Sequence, residues 1–240
     1  MKQPGLLVSI RNGREASIAD RAGADLLDLK EPANGPLGRC DESVWIDIVR
    51  RTGGRTPLSA ALGEWHEWAD LDDSAVQRRL AYLQGFRFAK IGPGGSAGDG
   101  GEGLERTYRR LRELGPLGLG WIGVAYADFQ RGGSLDRNGI LSMASKVGCV
   151  GVLIDTCDKS RPIFWDEGWA RYVRRVRDKN LLVALAGGLT AKSIRRIAPW
   201  QPDWCAVRGA ACRGGDRESS VSFRRVRALA AISGKFGVGN

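Results

Sequence analysis

The stretch GADLLDLKEPANGPLG, residues 23–38, sets Asp28 and Lys30 at the end of an apolar run, just before a loop of prolines and glycines. Alternate residues of a strand share a face, so Leu27 and Leu29 point one way while Asp28 and Lys30 point the other. On a lone edge strand such a pair is a solvated face. Its meaning depends on what the rest of the chain builds around it.

The same kind of run recurs along the chain. β-rich segments stand at 6–10 (LLVSI), 26–30 (LLDLK), 56–63 (TPLSAALG), 86–92 (FRFAKIG), 121–128 (WIGVAYAD), 150–156 (VGVLIDT), 181–188 (LLVALAGG) and 204–211 (WCAVRGAA). Their starts are about 20 to 35 residues apart, the span of one β-α repeat. Segments of helical character fall between them at 14–23, 41–51, 72–84, 102–114, 138–147, 166–179, 190–198 and 217–232, with Asp41, Asp72 and Thr190 at expected N-caps. Eight strands alternating with eight helices predict an α/β fold, a (β/α)8 TIM barrel formed as a single domain over residues 1–240. A doubly wound open sheet is the other arrangement of such units. It would offer G-x-G-x-x-G after its first strand, where this chain has SIRNGREA.

In a barrel, the inward residues at the C-terminal strand ends face the active site. That address belongs to Asp28 and Lys30, to Lys90 in FAKIGPGG, to Asp128 in YADF, and to Asp155 with Lys159 in LIDTCDKS. A lysine amine attacks a carbonyl only when neutral, so its ordinary pKa of about 10.4 must be lowered by desolvation or nearby cations. Lys30 is the candidate nucleophile. Lys90 and Lys159 supply neighbouring charge, and Asp28 and Asp155 are placed to carry protons, with Asp28 managing that of Lys30. Glycine-rich loops follow strands seven (LAGGLTAKS) and eight (VRGAACRGGDR), where barrels of this kind hold phosphate on exposed backbone N–H groups. Gly187, Gly188, Arg208 and Gly209 are the candidate phosphate-binding residues, and Arg208 and Arg213 add charge. The segment GPGGSAGDGGEG at 92–103 has the composition of a flexible lid.

A formal charge of +10, from 37 basic and 27 acidic residues, invites a nucleic-acid reading. The arginines, however, are dispersed among acids in segments such as ERTYRRLRELG and WARYVRRVRDKN, the pattern of solvated helices. No apolar run approaches the ~20 residues of a membrane span. A cytoplasmic protein is expected, with a small anionic substrate, no nucleic-acid or membrane partner, and a surface compatible with a homo-oligomer. The five cysteines form no C-x-x-C pair, and the single histidine, His66, builds no zinc site alone. Neither metal nor cofactor is expected.

The segments LLVSIRNGREA, GADLLDLKEPANGPLG, AKIG, GVLIDTCDKS, ALAGGLT and AVRGAACRGGDR together resemble the (5-formylfuran-3-yl)methyl phosphate synthase family of methanofuran biosynthesis, over nearly the whole chain. The resemblance implies a lyase that condenses two molecules of glyceraldehyde 3-phosphate with loss of phosphate and water. It also implies that Lys30 forms a Schiff base, that Lys90 and Asp155 belong to the active centre, and that Lys159 is a further active-site lysine. The archaeal pattern has an asparagine and a lysine in the loop after the strand-two lysine, where this chain has Glu31 and PANG. Other readings of the same residues are another lysine-dependent phosphosugar aldolase, a phosphoribosyl-isomerase-like barrel, or a non-catalytic barrel binding anions or nucleic acid.

Overall fold

In a computed structural model that describes residues 3–233, eight parallel strands close into a barrel. Residues 1, 2 and 234–240 of the expected domain lie outside the described residues. The strands are β1 (Gly5–Ile10), β2 (Leu26–Leu29), β3 (Leu58–Glu64), β4 (Phe88–Gly92), β5 (Gly120–Tyr126), β6 (Gly151–Asp155), β7 (Leu182–Leu185) and β8 (Trp204–Val207). Each pairs with its sequence neighbours, and β8 returns to β1 with Leu7 opposite Ala206. The helices are α1 (Gly13–Ala22), α2 (Glu42–Thr52), α3 (His66–Ala69), α4 (Asp73–Leu80), α5 (Glu102–Leu114), α6 (Arg137–Lys146), α7 (Glu167–Asp178), α8 (Ala191–Ile197) and α9 (Phe223–Ser233). Only α3, a single turn after β3, has no counterpart among the expected helices. Among the described residues no helix is long and apolar enough to cross a membrane.

Strand parity sorts the core into two layers. Leu6, Val8, Ile10, Leu27 and Leu29 pack outward with Ala16, Trp45 and Ile48 of the helices. Leu7, Leu26, Phe88, Ile122, Leu153 and Ala206 fill the lumen. At its floor Phe88 meets Trp204 edge to face at 5.2 Å. Gly5 and Gly120 leave room for these rings, since a Cβ at either would come within 2.9 Å of one of them.

Local chemistry starts most helices where expected. Asp72 accepts from the Ala75 N–H, and Thr190 and Ser193 form a reciprocal box at the start of α8. Asp41 occupies the N-cap of α2 but its side chain accepts no cap hydrogen bond. The helix expected from residue 217 begins instead at Phe223. Asp216 ties the intervening chain into a turn by accepting from the Glu218 N–H and the Ser219 hydroxyl, and Val221 pairs antiparallel with Cys212.

Candidate active site

A cavity of about 720 Å³ opens at the C-terminal end of the barrel; Asp28, Lys30, Lys90, Asp155, Lys159, Gly187, Gly188, Arg208 and Gly209 line it, whereas Arg213 does not. Asp28 projects inward from β2 with Lys30 just beyond its end, Lys90 projects from β4, and Asp155 closes β6 with Lys159 in the loop that follows.

The three lysines are not equivalent. Lys90 Nζ donates to Asp28 Oδ1 in a buried ion pair and to Ser59 Oγ at 3.1 Å. Lys159 Nζ lies 2.6 Å from Asp155 Oδ1 and also donates to the Thr156 carbonyl. Lys30, 7% exposed, has among the described residues only the Pro36 carbonyl as its hydrogen-bond partner, 3.1 Å from Nζ. Both aspartates are thus taken by the other lysines. Asp28 shares a strand face with Lys30 as the sequence requires, yet bonds Lys90 rather than managing the Lys30 proton directly.

Electrostatics follow this pairing. Burial, and next the Lys159 charge, bring the Lys30 amine down to about 8; Lys90 adds to the lowering while Asp155 and Asp28 oppose it. Burial alone would raise the Asp155 carboxyl. The charges of Lys159 and Lys30, with hydrogen bonds from Lys159 and the Thr156 N–H, outweigh it and hold this group below the ordinary carboxylate value. An amine with a pKa of about 8 is neutral in about one molecule in ten at pH 7, against roughly one in 3,000 at its ordinary value.

This asymmetry yields a prediction. Removing Lys159 deletes the largest charge that lowers Lys30, so Lys159→Met moves the alkaline-rising limb of the rate profile to higher pH. Removing the charge of Asp155, which opposes that lowering, moves the limb the other way. Rate profiles of the two variants that shift together, or not at all, would show that Lys30 does not set the limb.

Across the cavity lies a cradle of backbone donors. Gly187 and Gly188 follow β7 at φ +74° and +76°, and a Cβ at Gly188 would sit 2.9 Å from Pro162. Among the described residues the N–H groups of Gly187, Gly188, Gly209 and Ala210 donate to no protein acceptor. These four unused donors line one wall, an arrangement suited to a phosphate.

Arg208 behaves differently from the expected phosphate ligand. Its guanidinium forms a buried pair with Glu15, at 2.5 Å and 3.2 Å, and donates to the carbonyls of Ser9, Arg217 and Ser219. All five N–H donors are occupied, so as arranged here it braces the loop after β8. Asp128 is absent from the cavity lining. Its carboxylate accepts from the N–H groups of Cys157 and Asp158 at 2.7 Å and 2.8 Å and fixes the loop carrying Lys159.

The glycine-rich segment 92–103 is a knitted turn rather than a lid. Gly95 and Ala97 donate to the carbonyls of Gly132 and Gly133, both at 2.8 Å, and Ser96 is fully buried with its hydroxyl accepting from Leu135 N–H. Asp99 accepts from Gly101 and Gly103 at the start of α5, and Glu64 accepts from Gly94 N–H and the Tyr126 hydroxyl. None of its residues lines the large cavity. His66, on α3 beside Trp65, is exposed and stands outside that cavity.

Sequence reasoning passed over Glu15, Ser59, Arg217 and Arg225. Ser59 was findable, because it shares the inward parity of Ala61 on β3. Glu15 was not, since its partner is 193 residues away.

The family model for 4-HFC-P synthase matches residues 6–230. The chain belongs to that family. A (5-formylfuran-3-yl)methyl phosphate synthase of Methanopyrus kandleri is 31% identical over 237 residues, spanning 95% of this chain and 98% of its own. That of Methanosarcina barkeri is 30% identical over 94% of this chain and 97% of its own. A Methylorubrum extorquens protein provisionally given the same name is 33% identical over 93% of this chain and 89% of its own. Outside the 4-HFC-P synthase family, the barrel is similar to phosphoribosyl anthranilate isomerase from Thermus thermophilus. Its TM-score is 0.66 and its identity 15%, over 95% of this chain and 97% of that one. It is also similar to KGPDC from Streptococcus mutans, at TM-score 0.63 and 12% identity over 98% and 100% of the two chains. At such identities the likeness is one of fold.

Proposed function

We propose that this enzyme condenses two molecules of glyceraldehyde 3-phosphate into (5-formylfuran-3-yl)methyl phosphate, releasing one phosphate and two waters, as a step toward a methanofuran-type C1 carrier. The observation that carries the reading is Lys30, a buried lysine with no carboxylate partner among the described residues, facing a cradle of unused amides in a member of this family.

In this reading the neutral Lys30 amine adds to the aldehyde of the first triose, and loss of water gives an iminium. The iminium acidifies the C2–H. Deprotonation gives an enamine, which expels the C3 phosphate and leaves a three-carbon enol whose terminal carbon is nucleophilic. That carbon attacks the middle carbon of the second triose, reacting as its ketose isomer, because the ring carbon bearing the phosphomethyl group has two ring-carbon neighbours. Ring closure, two dehydrations and hydrolysis of the Lys30 imine complete the balance. Asp155 and Lys159, 2.6 Å apart, are the proton-transfer pair nearest in charge to Lys30, and Asp28 and Lys90 form a second. The phosphate of the first triose is held by the amides of Gly187, Gly188, Gly209 and Ala210 until it is expelled.

Incubation with glyceraldehyde 3-phosphate, followed by mass spectrometry and ultraviolet detection of the furan, tests the reading. Turnover to an acyclic aldol instead would identify another lysine-dependent aldolase. Gly188→Val, forced into left-handed backbone and against Pro162, should raise KM at least tenfold and change kcat less. An unchanged KM would remove the cradle from substrate binding.

A further inference from the structure

Two cations in the cavity wall have no part in the scheme above. Arg217 and Arg225 both line the cavity beside Gly215; Arg225 Nη1 stands 4.0 Å from the position a Gly215 Cβ would take. Among the described residues the Arg225 side chain makes no hydrogen bond or ion pair. Among them the Arg217 side chain makes only a long one, from Nη2 to the Pro32 carbonyl at 3.4 Å. That carbonyl lies two residues beyond Lys30, so Arg217 reaches from the loop after β8 toward the loop after β2. The neighbouring carboxylate, Asp216, is turned onto Glu218 and Ser219. An unpaired guanidinium in a cavity wall, beside a second held by one weak contact, is a fork of donors awaiting an acceptor.

The proposed reaction brings two phosphate groups into one cavity, and the amide cradle accounts for one. Lys90 and Lys159 are already balanced by Asp28 and Asp155, and Lys30 has to be neutral to act. We propose that Arg217 and Arg225 form a second phosphate subsite, so that the two trioses are held by chemically different anchors, one of backbone amides and one of guanidinium groups. The proposal rests on the two-triose reading above.

Inorganic phosphate is the probe that separates this idea from the reaction. Calorimetric titration of the wild-type protein should show two phosphate sites per chain, and the Arg217→Ala/Arg225→Ala variant one. A single site in the wild type, or two undiminished sites in the variant, would overturn the subsite whatever the catalytic assay gives. With glyceraldehyde 3-phosphate, borohydride trapping of the first triose on Lys30 should stay within twofold in that variant. Furan formation should fall at least tenfold and need higher triose concentrations, with Arg225→Lys recovering part of the loss. Loss of trapping in parallel with furan formation would place the arginines on the first phosphate and sink the two-anchor assignment. Wild-type protein that binds two phosphates but makes no furan would reject the reaction and keep the subsite.

Discussion

Lys30→Ala is expected to abolish furan formation, by at least a thousandfold, and with it the covalent adduct that borohydride should trap during turnover; Lys30→Met should do the same. The wild-type adduct is expected on the peptide containing Lys30, because its amine alone among the three lysines has no carboxylate partner among the described residues. Neither variant should unfold the barrel. The side chain faces the polar mouth, above the layer formed by Leu7, Leu26 and Phe88. Stability should in fact rise at neutral pH. A shift from 10.5 to about 8 means that the folded state holds the charged amine at a cost of roughly 3 kcal/mol. The sign follows from proton counts. Between pH 8 and 10.5 the unfolded chain keeps the proton that folded Lys30 has released, so wild-type stability gains with rising pH there relative to Lys30→Met. Below pH 8 both states are protonated and the full cost remains. Lys30→Met should therefore melt higher at pH 7 by up to about 6–12 °C, and this advantage should close toward pH 10.5. An adduct found on Lys90 or Lys159 would move the nucleophile, and an advantage of Lys30→Met over the wild type that is no larger at pH 7 than at pH 10 would contradict the lowered amine.

The barrel and the lysine cluster were legible because both depend on strand parity. Once Leu27 and Leu29 face helices, Asp28 and Lys30 must face the lumen, and the same rule places Lys90 and Asp155. What parity leaves undecided is which charges pair. Lys30 and Lys90 both stand near Asp28, and only the reach of each side chain across the lumen gives Asp28 to Lys90. Composition misled at 92–103, where glycine content suggested slack. Gly95 and Ala97 there meet carbonyls 37 and 36 residues downstream, a long-range pairing invisible in the segment itself. The same limit hid the loop 216–222, because helical periodicity over 217–232 carries no sign that Asp216 would form a turn first.

Arg208 is where position in the fold and chemical role part, and the pair it makes with Glu15 predicts a large effect on stability. Both residues are buried, at 8% and 2% exposure, on the loop after β8 and on α1. Glu15 Oε1 also receives the Val221 N–H at 3.4 Å, and Oε2 the Arg11 N–H at 2.9 Å, so this carboxylate joins the loop after β1 to both arms of the loop after β8. Arg208→Ala takes away its bidentate partner, leaving the Arg11 guanidinium at 3.7 Å as the weaker cation beside it, and frees the carbonyls of Ser9, Arg217 and Ser219. Breaking a buried pair from one side costs about 3–5 kcal/mol. For a chain of this size the melting temperature should drop by roughly 6–20 °C. Replacing both partners with hydrophobic residues, as in Glu15→Met/Arg208→Met, removes the poorly compensated carboxylate and should recover much of that loss. Phosphate affinity distinguishes a brace from a ligand. If Arg208 acts through the loop, the double variant regains phosphate binding along with stability, because the amides of Gly209 and Ala210 return to their places while no arginine is present at 208. A double variant that folds as stably as the wild type yet binds phosphate as poorly as Arg208→Ala would return Arg208 to direct contact with the anion.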